Sequence, residues 1–93
     1  MIAAQTIDAV AARVGEEGGV DEAMVMALRA HWPDLHFTWC FDDDVGERDA
    51  PVRELKGANI YLVDGSAHCL SITADPARAT GILIAEVEAE ADQ

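Results

Sequence analysis

Ninety-three residues make one domain, near the lower limit of what folds without a metal or a disulfide, and 51% hydrophobic content suffices for one small core but not for a deep substrate cavity as well. Eighteen acids against six bases give a formal charge of −12 at pH 7. Such a surface repels phosphate backbones and anionic membranes, which argues against nucleic-acid or membrane binding and makes a partner protein with a basic surface the electrostatic complement.

The opening residues, MIAAQTIDAVAARVG, carry no basic n-region, and Asp8 breaks their apolar character, so they do not read as a signal peptide. No apolar run approaches the roughly 18 residues needed to span a bilayer. A cytoplasmic location is therefore expected, with Cys40 and Cys69 as reduced thiols. Ala3, Ile7, Val10 and Val14 share one helical stripe that Gly15 is expected to end, and EEGG at 16–19 reads as a turn. A second helix starts at Asp21 as N-cap with Glu22 in its first turn. Its stripe is Met24, Val25 and Leu28, with Trp32 at the end, where Pro33 blocks continuation.

Period two then replaces period 3.6. In LHFTWCF (35–41) the residues Leu35, Phe37, Trp39 and Phe41 alternate with His36, Thr38 and Cys40, which predicts a strand with one apolar face. After it comes DDDVGERDAPVRELKGA (42–58), a connection long enough to be functional or mobile. NIYLVD (59–64) and HCLSITA (68–74) predict two further strands around Asp64-Gly65. An odd-length turn would pair Ile60 with Leu70 and Tyr61 with Cys69, leaving Ile72 on the face of Ile60 and Leu62. The apolar pattern favours it over a two-residue turn. Asp75-Pro76 resembles an N-cap followed by a first-turn proline, and Ala77, Thr80, Ile84, Val87 and Ala91 follow 3-4 spacing, which predicts a third helix. Gly81 and the β-branched residues of GILIAEV leave a fourth strand as the alternative.

The expected architecture is thus a single α+β domain over 1–93 in the order ααβββα, a three-stranded antiparallel sheet with its helices packed on one face. That face would carry Leu35, Phe37, Trp39, Phe41, Ile60, Leu62, Leu70 and Ile72.

Chemistry-bearing residues are few. His36 and Cys40 lie four residues apart on one strand face, about 13 Å, too far to share a zinc ion whose ligand bonds are about 2.0–2.3 Å. A metal or small-ligand site would have to combine His36 or Cys40 with Cys69 from another strand. No CxxC or HxxxH supports one, so both cysteines read as small hydrophobes and no cofactor is expected. Asp42, Asp43, Asp44 and Glu47 do not match an EF-hand, because loop positions 6 and 12 are Glu47 and Arg53. They read instead as an acidic loop able to meet a basic partner. Nothing resembles a nucleophile elbow, a phosphate-cradling glycine loop or a zincin helix, so a non-catalytic protein is expected. The face opposite the helices carries His36, Thr38, Cys40, Asn59, Tyr61, Val63, Cys69, Ser71 and Thr73, nearly all uncharged. An uncharged sheet face on so acidic a chain is expected to be covered, by a second copy in a homodimer, a partner protein or a small ligand. His36, Thr38, Tyr61 and Ser71 are the contact candidates there.

HWPDLHFTWCFDDD (31–44) and YLVDGSAHCLSITADPARATGILIAE (61–86) resemble a small family of proteobacterial proteins that accompany nitrogen-fixation genes. The resemblance covers about the central and C-terminal two thirds of the chain. It implies an accessory role beside nitrogenase or its electron supply and supplies no catalytic residues to carry over.

Overall fold

The computed structural model describes residues 2–17, 20–42, 45, 50–55, 57–65 and 71–87. The first helix, α1 (Ala4–Glu17), buries Ile7, Val10, Ala11 and Val14 along one stripe. Ala3, expected in that stripe, is exposed. Ile2 is buried in its place, and its N–H donates to the Pro76 carbonyl at 2.9 Å. The helix passes through Gly15 instead of stopping there. Glycine within a helix costs only about 1 kcal/mol, which the packed apolar stripe outweighs.

The second helix, α2 (Glu22–His31), begins as its sequence predicts. The Asp21 carboxylate accepts the Met24 N–H at 2.8 Å, satisfying one of the donors left open by the first turn. Met24, Val25 and Leu28 form its buried face, and Trp32 closes it by donating its N–H to the Leu28 carbonyl.

Five strands follow among the described residues: β1 (His36–Phe41), β2 (Arg53–Leu55), β3 (Ala58–Asp64), β4 (Ser71–Thr73) and β5 (Gly81–Glu86). They form one mixed sheet in the order β1-β5-β3-β2, with β4 also paired to β3. Strand β5 is parallel to β1 and antiparallel to β3. Its pairing with β3 spans residues 58–63 of that strand, so β2 and β4 share the other edge, on 58–60 and 62–64 respectively.

The fold is α+β, but three of the expected details are corrected: the third helix, the make-up of the sheet and the hairpin register. The third helix is absent among the described residues, and 81–86 is a strand at the centre of the sheet. Asp75 does cap a turn, accepting the Ala77 N–H on its side chain and the Arg78 N–H on its carbonyl. The turn then ends, because the next residues complete the sheet. Ile82 and Ile84 point to the helix side while Leu83 and Ala85 point away, and all four are buried, the pattern of a strand covered on both faces. The sheet is accordingly mixed rather than three-stranded and antiparallel, and among the described residues helices α1 and α2 are the helices that cover its face. The hairpin register also differs: Val63 lies opposite Ile72, so Ile72 joins Tyr61 and Val63, not Ile60 and Leu62.

Two apolar clusters flank the sheet. The larger contains Ile7, Val10, Val14, Met24, Leu28, Phe37, Ile60, Leu62, Ile82 and Ile84 between helices and sheet. The smaller lies on the opposite face and contains Tyr61, Val63, Leu83 and Ala85, with Cys40, Val45 and Ile72 against it.

Candidate functional site

Three acidic residues, Asp42, Glu54 and Glu86, lie at one end of the sheet, and Asp64 lies at the other. Strand β1 finishes at Phe41, and Asp42 follows in a turn closed by the Val45 N–H donating to the Asp42 carbonyl at 3.0 Å. The Asp42 carboxylate accepts hydrogen bonds from Asn59 Nδ2 at 3.0 Å and from the Tyr61 hydroxyl at 3.2 Å. Both donors stand on alternate residues of β3, whose period of two puts them on one face and within reach of a single oxygen. Glu54 is the cross-strand neighbour of Asn59 and is exposed, and Glu86 ends β5 beside Phe41. Asp42 and Glu54 therefore share the Asn59 face at this end of the sheet, and Glu86 lies at the same end on the helix side. Arg53 on β2 is engaged elsewhere: its Nε donates to Asp8 Oδ1 on α1 at 2.7 Å and its Nη1 to its neighbour's carbonyl, that of Val52.

Of the residues singled out from sequence, Asp42 and Tyr61 are brought together. Tyr61 is 3% exposed, so its ring belongs to the core and its hydroxyl serves to orient Asp42. His36 is exposed, at the start of β1, roughly 20 Å along the strand from Asp42. Ser71 is exposed beside Asp64, at the same end as His36, and its register with Asp64 puts it on the helix side of the sheet instead of the uncharged face expected for it. Thr38 is half-buried between these ends. Asp43, Asp44, Glu47 and Cys69 lie outside the described residues.

The centre of the sheet face opposite the helices is buried within the chain itself. Tyr61, Val63, Leu83 and Ala85 are buried within the single molecule, with Val45 and Ile72 against them. Cys40 is half-buried in the same cluster. Among the described residues no group of three or more His, Cys, Asp or Glu side chains is arranged to hold a metal ion, and no Asp, Glu, His, Lys or Arg is buried.

Sequence alternation placed Trp39 and Phe41 in the core, but they are 41% and 42% exposed, with ring centroids 5.4 Å apart. Both stand on the helix side of the sheet, yet β1 is an edge strand and α2 covers only its Phe37 half. Alternation reports which face a residue occupies, not whether a helix reaches it. A cleft of about 280 Å³ lined by Glu22, Val25, Met26, Arg29, Thr38 and Trp39 runs along this edge. A second, of about 270 Å³, lies between the N-terminus of α1 and the α2–β1 connection. Each is below the usual size of a small-molecule pocket, about 300–1,000 Å³.

No helix among the described residues is long and apolar enough to cross a membrane. No curated protein and no solved structure matches the chain. Residues 9–87, which hold most of α1, all of α2 and the five described strands, match the family of unknown function DUF6129, and the chain belongs to that family.

Proposed function

We propose that the protein is a non-catalytic, acidic interaction protein that docks on a basic surface of a partner protein, with Asp42 as the ordered root of the contact. The observation that carries this reading is the fixing of the Asp42 carboxylate by Asn59 and Tyr61 at the end of the sheet where Glu54 and Glu86 also gather. A carboxylate already oriented by neutral donors loses less side-chain entropy on docking than a free one. Asp43, Asp44 and Glu47 follow it in sequence and would extend the same negative surface. The chain's net charge of −12 steers a cationic partner toward it over a distance set by ionic strength.

The partner to seek first lies in the nitrogenase apparatus or its electron supply, because the family that the sequence resembles accompanies nitrogen-fixation genes. The test is a charge reversal, Asp42→Lys with Asp43→Lys and Asp44→Lys, assayed by retention of partner proteins from such cells on immobilised protein. Retention should fall at least about tenfold, and wild-type retention should weaken steadily with added salt. A partner retained equally by wild type and variant, with no dependence on salt, would sink the reading.

A further inference from the structure

Three of the four large exposed hydrophobics among the described residues border the edge of β1, and the residues of that strand complement themselves. The three are Met26, Trp39 and Phe41, and the fourth is Val87. In a parallel pair each residue directs its N–H and C=O to the same side. The His36 N–H points toward β5, donating to the Thr80 carbonyl, so Thr38 and Cys40 also face β5, while Phe37, Trp39 and Phe41 direct their backbone groups outward. The Phe37 carbonyl confirms the direction by accepting Arg29 Nη2 from α2 at 3.0 Å. That carbonyl has a second lone pair for a neighbouring strand.

We propose that a second copy of this chain docks antiparallel along β1, across a two-fold axis through Trp39, so that the two sheets become one. Antiparallel pairing must join outward residues to outward residues. Centring on Trp39 does so over the whole strand: Trp39 faces its own copy and Phe37 faces Phe41. It also matches the opposite face, setting Thr38 against Cys40 of the second copy. Strand 36–41 has no lysine, proline or glycine, the residues that usually guard an edge from pairing. Because α2 covers the Phe37 half and leaves the Phe41 half open, the two-fold sets each copy's open half against the other's covered half. Met26 and both Trp39 rings then lie between the two helices.

This interface does not depend on the docking of a basic partner, and salt separates the two. Two chains of −12 repel, so added salt strengthens the dimer, whereas it weakens attachment to a cationic surface. The experiment is sedimentation and native mass spectrometry of wild-type protein from micromolar to millimolar concentration, at low and high salt. A species of twice the 10.0 kDa chain mass that grows with salt is expected, and Trp39→Lys should weaken association at least about tenfold. Single-cysteine proteins in a Cys40→Ser, Cys69→Ser background fix the register. Trp39→Cys faces itself at about 5.5 Å between Cα atoms and should form the disulfide-linked dimer readily, and Phe41→Cys, set against Phe37, should not. A monomeric wild type throughout overturns the proposal, as does a dimer that Phe41→Cys links as readily as Trp39→Cys.

Discussion

Three glycines separate conformational freedom from space. Gly81 opens β5 opposite His36, and a Cβ built there would lie 2.3 Å from the His36 carbonyl oxygen and 2.7 Å from its Cβ. Backbone cannot yield as a flexible side chain does, so Gly81→Ala must shift β1 from β5 and should cost about 2 kcal/mol or more. Gly57 sits at φ +90 in the tight β2–β3 turn with nothing within 4 Å, so Gly57→Ala has room but suffers backbone strain of order 1 kcal/mol. Gly15 lies inside α1 with open space around it, and Gly15→Ala should stabilise by about 1 kcal/mol. Urea unfolding of the three variants checks the order, and a Gly81→Ala protein as stable as wild type would refute the close β1–β5 approach. None of this was legible in sequence. Gly15 was expected to break a helix that it merely weakens, and the contact that makes Gly81 necessary joins residues 45 positions apart.

Among the elements, those with local signals were readable and those built by long-range pairing were not. Helix α2 announced itself through Asp21, a 3-4 stripe and Pro33, and the structure realises each of them. Removing that cap in Asp21→Ala should destabilise the fold by about 1 kcal/mol without altering the unfolding slope, which equilibrium denaturation measures directly. The acid-to-alanine change at Asp8, by contrast, breaks an ion pair whose carboxylate side chain is 64% exposed, and should change stability by less than about 0.5 kcal/mol. Strand β5 was misread because Asp75-Pro76 carries a helix-start signal and the apolar run beyond it is compatible with either period. Its fate was settled by two open edges, those of β1 and β3, which a sequence window does not contain. Strand β2 was lost inside the 42–58 connection because three residues are too few to show alternation. The same limit applies to the candidate site. The acidic run was visible, but the hydrogen bonds that fix Asp42 come from a strand 17 and 19 residues away.

For the molecule as a whole, charge is the dominant unbalanced quantity. Eighteen carboxylates face six Lys and Arg side chains, so even complete pairing would leave twelve negative charges to repel one another. Among the described residues two ion pairs are formed, Arg53 with Asp8 and the long contact of Arg78 with Asp75 at 4.0 Å. The radius of gyration is 12.5 Å. At about 0.01 M ionic strength the Debye length is about 30 Å, so every charge interacts with every other, while at about 0.15 M it falls to about 8 Å and distant carboxylates no longer feel each other. Unfolding separates the charges and relieves repulsion, so low salt should favour the unfolded chain. Exposed ion pairs lose too little on screening to reverse the sign. The urea midpoint should therefore rise from about 0.01 M to about 0.15 M NaCl and flatten beyond it, once the screening length is shorter than the molecule. Measuring at protein concentrations where the chain is monomeric keeps dimerisation, which also grows with salt, out of the comparison. A midpoint that falls over that range would mean that attractive contacts outweigh the excess of acids, and would remove the electrostatic ground for a cationic partner.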